Sequence, residues 1–311
     1  MTAMLDEVPE TRSDLSTRQG GASLRRRKLL DRSIWIGCSL ALLLVVVPVV
    51  SIVGGVVGQS VSHWQWGILD TLTSGTGGGL SNAIVGTMVI MFGVALLAGL
   101  VGVAGGVYLA EFCPEGSGGV LRGASEVLSG VPSIVLGYVG YVALVVFLHW
   151  GFSLAAALIV MSILVLPYII KATESSVRQV PTSYREGGEA LGMRTGYALR
   201  RLVLRPAIPG ITTGLIVALA VAVGETAPLL YTAEWSSQMP TGHLTHSPVG
   251  YLTYPVWEFF NQPYASAHRL AETAAFLLVL LVLLLIIVAR LVVALTQRHA
   301  PEQRGAAKTH A

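Results

Sequence analysis

Apolar and polar stretches alternate along this chain on a scale of about 20 residues, the length of helix needed to cross the hydrocarbon core of a bilayer. Six apolar runs stand out: Ile34 to Val57, Ala83 to Ala110, Val131 to His149, Phe152 to Ile170, Gly210 to Tyr231 and Thr273 to Leu295. They predict an all-α integral membrane protein with six transmembrane helices over 34–296, flanked by polar tails at 1–33 and 297–311. Almost nothing separates the third and fourth runs, which predicts a tight hairpin. Pro48 and Pro167 mark kinks near span ends, where freed backbone groups find other partners.

Two runs carry small residues at helical spacing: Ala98, Gly102 and Gly106 in the second, and Gly210, Gly214, Ala218 and Ala222 in the fifth. Such stripes let helix backbones approach closely, and packing alone accounts for each glycine taken singly. The fifth span is expected to turn its stripe toward a partner subunit. Glu225 lies three residues beyond Ala222, on the same side of the predicted helix. A carboxylate at the bilayer centre costs about 2.5–3.5 kcal/mol on insertion scales, and less toward an end. Glu225 therefore faces a wet pathway, pairs with a cation of a partner chain, or sits among the outer headgroups.

Composition agrees with the pattern. The chain of 311 residues is 53% hydrophobic and only 12% charged, with a mean hydropathy of +0.68. Charge placement sets an orientation. Seven of the Lys and Arg residues lie up to Arg32, Arg122 stands alone, seven run from Lys171 to Arg205 and four from Arg290 to Lys308. With a cytoplasmic N-terminus all of these fall inside, and only Arg269 falls outside. Both termini are then cytoplasmic. The first apolar run starts too far in, and runs too long, for a cleaved signal peptide, and reads as a retained anchor. Lys28, Lys171 and Lys308 are the only lysines, and none follows a glycine, which excludes a Walker A phosphate loop. Any ATP would be bound by another chain. Cys38 and Cys113 offer neither a disulfide framework nor a thiolate metal site.

The polar stretch Pro181 to Gly210 has an internal design. Ser183 and Glu186 have capping-box spacing, which predicts a short helix from near Tyr184, and Gly192 stands where that helix needs a left-handed stop. A second helix from Thr195 would carry Arg200 and Arg201 and end before Pro206 and Pro209. The alternative is a solvated basic loop. Glu186-Gly187-Gly188, then Gly192, then Leu202 and Leu204 with a proline close behind, resembles the cytoplasmic EAA loop of ABC importer permeases. The resemblance implies that Glu186, Gly187, Gly188, Glu189, Ala190 and Gly192, within a coupling loop at 181–209, engage a separate ATPase. Gly187 and Gly188 replace the family's alanines, and Arg205 stands where its proline is expected, with Pro206 one place late. Glycine lowers helix propensity by roughly 1 kcal/mol relative to alanine, so a less rigid coupling helix is expected.

Three further strings, Gly106 to Phe112, Ser129 to Tyr138 and Gly224-Glu225-Thr226-Ala227-Pro228, are similar to those of PstA-type permeases of phosphate ABC importers. The resemblance runs from about Ser81 to Arg290. It implies a MetI-like permease fold with cytoplasmic coupling helices in the cell membrane, forming half of a pathway for inorganic phosphate. It also implies a second, PstC-like permease subunit, a PstB-like ATPase dimer and an extracytoplasmic PstS-like binding protein. Gly224, Glu225 and Thr226 are the candidate pathway or gating residues. In that family an arginine commonly precedes this string; Val221 stands there instead, which favours a partner-chain cation for Glu225.

Other classes are weaker. An ion-coupled transporter or channel should show inverted repeats or several buried charges, and an intramembrane enzyme a nucleophile and base or a metal site at one depth. The spans offer neither, and a transport permease without catalytic residues, cofactor or nucleic-acid partner is expected. A permease for another oxyanion or small solute stays open. The segment Thr232 to Glu272 is rich in aromatics, including Trp235, Tyr251, Tyr254, Trp257, Phe259, Phe260 and Tyr264, which predicts an interfacial belt or a docking platform. His243 and His246 sit in an irregular loop without fixed geometry, so no metal is expected there. Arg290, near the inner end of the last span, can snorkel.

Overall fold

The structure, a computed structural model, describes residues 13–297. Residues 1–12 and 298–311, parts of the two tails, lie outside the described residues. Helix α1 (Ser13–Ser62) begins within the stretch read as a polar tail, and its portion Leu30–Ser62 is long and apolar enough to cross a membrane. The chain divides into two units after Val57, so α1 up to that point stands by itself.

The second unit holds the remaining spans. Helices α2 (Ser81–Glu111) and α5 (Leu154–Arg178), the continuous stretch Thr195–Gly224 and α11 (Ala265–Gln297) are each of spanning length. The third predicted span, Val131 to His149, forms α4 (Ser133–Gly140) continued by a π-helical turn Tyr141–Phe147; a helix outside that prediction, α3 (Glu115–Ser129), precedes it and meets it at 95° as a bent pair. Pro132 at the N-cap of α4 explains the bend, since it donates no backbone hydrogen bond and pushes Val131 out of helical geometry. Five helices and this pair make up the six predicted spans. The expected hairpin forms through a turn in which His149 and Gly151 take φ of 57° and 61°.

Helix α5 is the centre of the packing. On one side it meets α2, where a Cβ added to Gly102 would lie 2.7 Å from Ile169 Cγ2, and one on Gly106 would lie 2.5 Å from Thr173 Cβ and 2.7 Å from the Ile170 carbonyl oxygen. On the other side it meets α8 (Arg205–Gly224). There a Cβ on Gly210 would fall 2.3 Å from Ser176 Oγ, and one on Gly214 2.2 Å from Ala172 Cβ. The stripe of the fifth span therefore faces this chain's own α5, not a partner subunit. Ala172 and Ser176 are small enough to complete the contact. Ala98, Ala218 and Ala222 are buried in the same core with Val94, Met161 and Val165.

Prolines correct two predicted boundaries. The helix from Thr195 does not stop before Pro206 but runs through α7 (Thr195–Ala198) and a π-helical turn Leu199–Leu204 into α8. A π turn widens the helix around Leu202, whose carbonyl would otherwise meet the Pro206 ring, so the chain passes the proline without ending. The fifth span, predicted to continue to Tyr231, stops at Gly224 and restarts as α9 (Ala227–Thr232). Pro228 would clash with the carbonyl of Gly224 in an unbroken helix, and it sits comfortably in the first turn of a new one.

At the end of the molecule opposite Pro206, a two-strand hairpin, β1 (Thr73–Ser74) and β2 (Gly77–Gly78), precedes α2. Buried Asn82 holds it in place, accepting from Thr73 N at 3.2 Å and Thr73 Oγ1 at 2.9 Å and donating to the Ser236 carbonyl at 2.7 Å. The aromatic segment divides. Trp235, Tyr254 and Phe259 pack together, with Trp235 stacked on Tyr254 at 4.6 Å, whereas Trp257, Phe260 and Tyr264 are exposed. Only the second set matches a belt or platform.

The approach of α2 to α5 sets a test. Gly106→Ala should cost about 1–3 kcal/mol as overpacking, seen as a lower thermal unfolding midpoint of the detergent-purified protein. Gly105→Ala, whose Cβ would stand 3.5 Å from Ile170, should leave the midpoint unchanged or raised. Equal losses at both positions would contradict the packing.

Candidate coupling surface and pathway residues

The elbow begins with α6 (Thr182–Ala190). The capping box predicted at Ser183 does not form. Pro181 is the N-cap, without side-chain capping, and Tyr184 N–H donates to the Pro181 carbonyl at 3.2 Å, which draws Ser183 inside the first turn. The predicted stop at Gly192 does form, with φ of 66°. Met193 N–H bonds the Gly188 carbonyl at 3.0 Å and Gly192 N–H bonds the Glu189 carbonyl at 2.9 Å, the paired bonds of a Schellman ending.

The two glycines differ in kind. Gly188 is buried, and a Cβ there would lie 3.1 Å from Leu202 Cδ1 and 3.3 Å from Ala198 Cβ, so its absence lets α6 lie close on the π turn. Gly187 has open space around it, and nothing in the structure explains it. Glu186, Gly187, Glu189 and Ala190 are exposed, and so are Tyr184 (45%), Leu191 (75%) and Tyr197 (55%). The elbow thus presents two carboxylates among apolar and aromatic groups, a mixed surface suited to protein docking.

Beneath it lie charged residues that sequence reasoning did not single out. Arg185 turns inward and grips Glu111, the last residue of α2, with Nε 3.1 Å and 3.2 Å from the two carboxylate oxygens and Nη2 also donating to Oε1. Its other bonds reach carbonyls at the end of α5, Val180 at 2.8 Å and Val177 at 3.1 Å. The Glu111 hydrogen bonds raise the Arg185 pKa further above its ordinary value. Close by, Glu174 accepts from Arg122 at 2.7 Å and pairs with Arg178 at 3.0 Å. Both arginines also donate to the Leu109 carbonyl in the last turn of α2, where a helix dipole favours cations. The pattern offered one signal, an acidic residue closing one span and a basic loop beyond another, but 74 positions separate Glu111 from Arg185.

Gly224, Glu225 and Thr226 lie at the break between α8 and α9, about 45 Å of helix away from Thr195. Glu225 is the extended C-cap, with φ −77° and ψ 128°, so it does not continue the small-residue stripe as predicted. Its carbonyl accepts at 3.2 Å from Oγ1 of Thr253, the first residue of α10 (Thr253–Glu258), and its half-buried carboxylate makes no ion pair among the described residues. Two strings noted in the sequence meet here. Gly137 of α4 faces Pro228 of α9 so closely that a Cβ would lie 2.7 Å from Pro228 Cα. Tyr251 is buried beside the break, in a small cavity with Thr87, Ala222 and Leu229, and burial pushes its phenol pKa up. His246 N–H bonds the Trp150 carbonyl at 2.8 Å, a role in closing the turn after α4.

Spanning helices with a polar elbow at one end and a broken span at the other define a multi-pass helical membrane protein. A chain of the MetNI methionine ABC transporter, solved in inward-facing conformations, has the same fold with a TM-score of 0.58 at 20% identity, covering 70% of this chain and 95% of that one. The family model described as binding-protein-dependent transport system inner membrane component matches residues 102–300. Phosphate transport system permease protein PstA 2 of Mycobacterium bovis is 56% identical over 273 residues, 88% of this chain and 91% of the relative. The PstA protein of Yersinia pestis is 35% identical, covering 70% and 73%. The chain belongs to this binding-protein-dependent transport permease family, and within it to the PstA-type permeases.

The contrast between the glycines is measurable. Gly187→Ala should stabilise α6 by about 1 kcal/mol, read as roughly fivefold stronger amide-exchange protection across 182–190. Gly188→Ala should gain less or lose protection, because Leu202 must yield.

Proposed function

We propose that this chain is a permease subunit of an ATP-driven importer, that it forms half of the translocation pathway for inorganic phosphate, and that it couples to a separate ATPase through residues 181–209. The identity of 56% with a relative named as a phosphate transport permease is the observation that carries this reading. The exposed face of α6, with Glu186 and Glu189 among Tyr184, Leu191 and Tyr197, supports the coupling part. The absence of any Gly-Lys pair in the sequence fits nucleotide binding on another chain. Its partners are then a PstC-like permease, a PstB-like ATPase dimer and a PstS-like binding protein. The basic loops support a cytoplasmic location for both termini and the elbow.

Transport proceeds by alternating access, with ATP-driven closure of the ATPase pushing on α6 and the spans moving as bodies. Phosphate is an anion, so Glu225 does not bind it without a balancing cation. Its place at the break of a span assigns it to gating or to a pair with a cation of the second permease.

Two measurements test the reading. The tagged chain should co-purify with an ATPase, and Glu186→Lys should abolish that association; an unaltered chain that retains no ATPase contradicts it. Glu225→Gln should insert normally and lower phosphate uptake about tenfold, the scale of a typical coupling energy. Unchanged uptake over a range of concentrations removes the gating role, and uptake of another oxyanion in place of phosphate corrects the substrate.

A further inference from the structure

Arg185 and Glu186 are adjacent in sequence and serve opposite sides of α6. Glu186 is exposed on the outer face, whereas Arg185 is partly buried, with its side chain 26% exposed and that of Glu111 15% exposed. The helix has three routes to the spans. Two are covalent: its N-cap Pro181 follows the last residue of α5, Arg178, by only three positions, and past Gly192 the chain continues through the π turn into α8, with Gly188 resting on Ala198 and Leu202 of that same continuation. The third is the guanidinium, which is bonded at once to the last residue of α2 and to the Val177 and Val180 carbonyls at and just past the end of α5. A bidentate arginine–carboxylate pair fixes direction as well as distance. Without it, α6 is held to the spans by its two chain connections and the Gly188 contact, and a push on it is taken up as rocking of α6 against the end of α2.

We propose that the Arg185–Glu111 pair is the strut that fixes α6 to the end of α2, so that displacement of α6 is passed to the spans without rocking, making Arg185 a positioning residue for transport; this rests on the importer reading above. The glycine contacts hold α2, α5 and α8 together, and the pair keeps α6 in step with that body, so that closing the ATPase moves them as a unit. Its loss uncouples the motor from the pathway and leaves docking, which uses the other face of α6, in place.

The test uses the complete importer in proteoliposomes. Arg185→Gln should keep the ATPase bound and hydrolysing while phosphate taken up per ATP falls about tenfold. Glu111→Gln keeps the shape of the side chain and removes its charge; it should lower the ratio in the same way, and it decides the matter if Arg185→Gln disrupts the fold. With Cys38 and Cys113 replaced by Ala, the pair Glu111→Cys and Arg185→Cys should show the low ratio and regain the original one when a short bismaleimide joins the thiols. An unchanged ratio in Glu111→Gln overturns the proposal, as does a parallel fall of uptake and hydrolysis. Loss of the ATPase from that variant also overturns it, since the pair would then shape the docking surface. An unaltered chain without ATPase defeats the importer reading itself, before any variant is made.

Discussion

Everything in the second unit depends on how closely two helices approach α5. Lipid offers no hydrophobic drive for one apolar helix to leave it for another, so spans are held by dispersion and by the polar contacts that close approach allows. The approach is set by absent side chains. Gly102 and Gly106 admit Ile169 and Thr173, and Gly210 and Gly214 admit Ser176 and Ala172. These α5 residues span about two helical turns, so both neighbours are fixed along one short segment. A methyl group at most of these glycines would have to displace its neighbour. The α2, α5 and α8 helices therefore behave as one body.

The irregularities fall where that body ends. Pro132 bends α3 against α4, Pro206 is passed by a π turn, and Pro228 divides α8 from α9. Each proline sits outside the segment of α5 that carries the stripes. Helix breaks and π turns are common at functional positions, because they free backbone groups and allow a change of direction without unpacking a span. Gly137 against Pro228 joins two of these irregular regions at the end where Glu225 lies. The rigid middle and the adjustable ends thus come from different residues, and substitutions can alter one without the other.

Much of this was legible in the chain itself. The apolar runs gave the spans, four-residue spacing gave the stripes, and Gly192 gave the elbow, because each of these is a local property of backbone or period. What a stripe packs against is not local: the spacing of the fifth span's small residues suits a partner as well as a neighbouring span, and their neighbours in the structure, Ala172 and Ser176, lie on a helix that reads as ordinary. The break at Glu225 was within reach, since a proline four residues after Gly224 denies that carbonyl its helical partner and favours a break there; apolar continuity through Leu229 and Leu230 hid it. Arg185 and Glu111 could not be paired from spacing alone, as their meeting depends on three helices ending at one level. That level is set by the stripes.

The two ends of the body are fastened by different chemistry. At the elbow, Glu111 and Glu174 are held by Arg122, Arg178 and Arg185, and the arginines also reach carbonyls of α2 and α5. At the opposite end the fastenings are neutral: Asn82 to Ser236, Leu252 N–H to Thr87 at 2.9 Å, and Thr253 to the Glu225 carbonyl. Of the charged pairs, Arg185 with Glu111 is the least exposed, whereas the Arg122 and Arg178 side chains are 36% and 53% exposed, so that water and salt screen their pairing with Glu174. Salt therefore weakens the attachments at the elbow and leaves those at the opposite end largely unchanged. The break beside Glu225 is joined to Thr253 by a bond of this second, neutral kind.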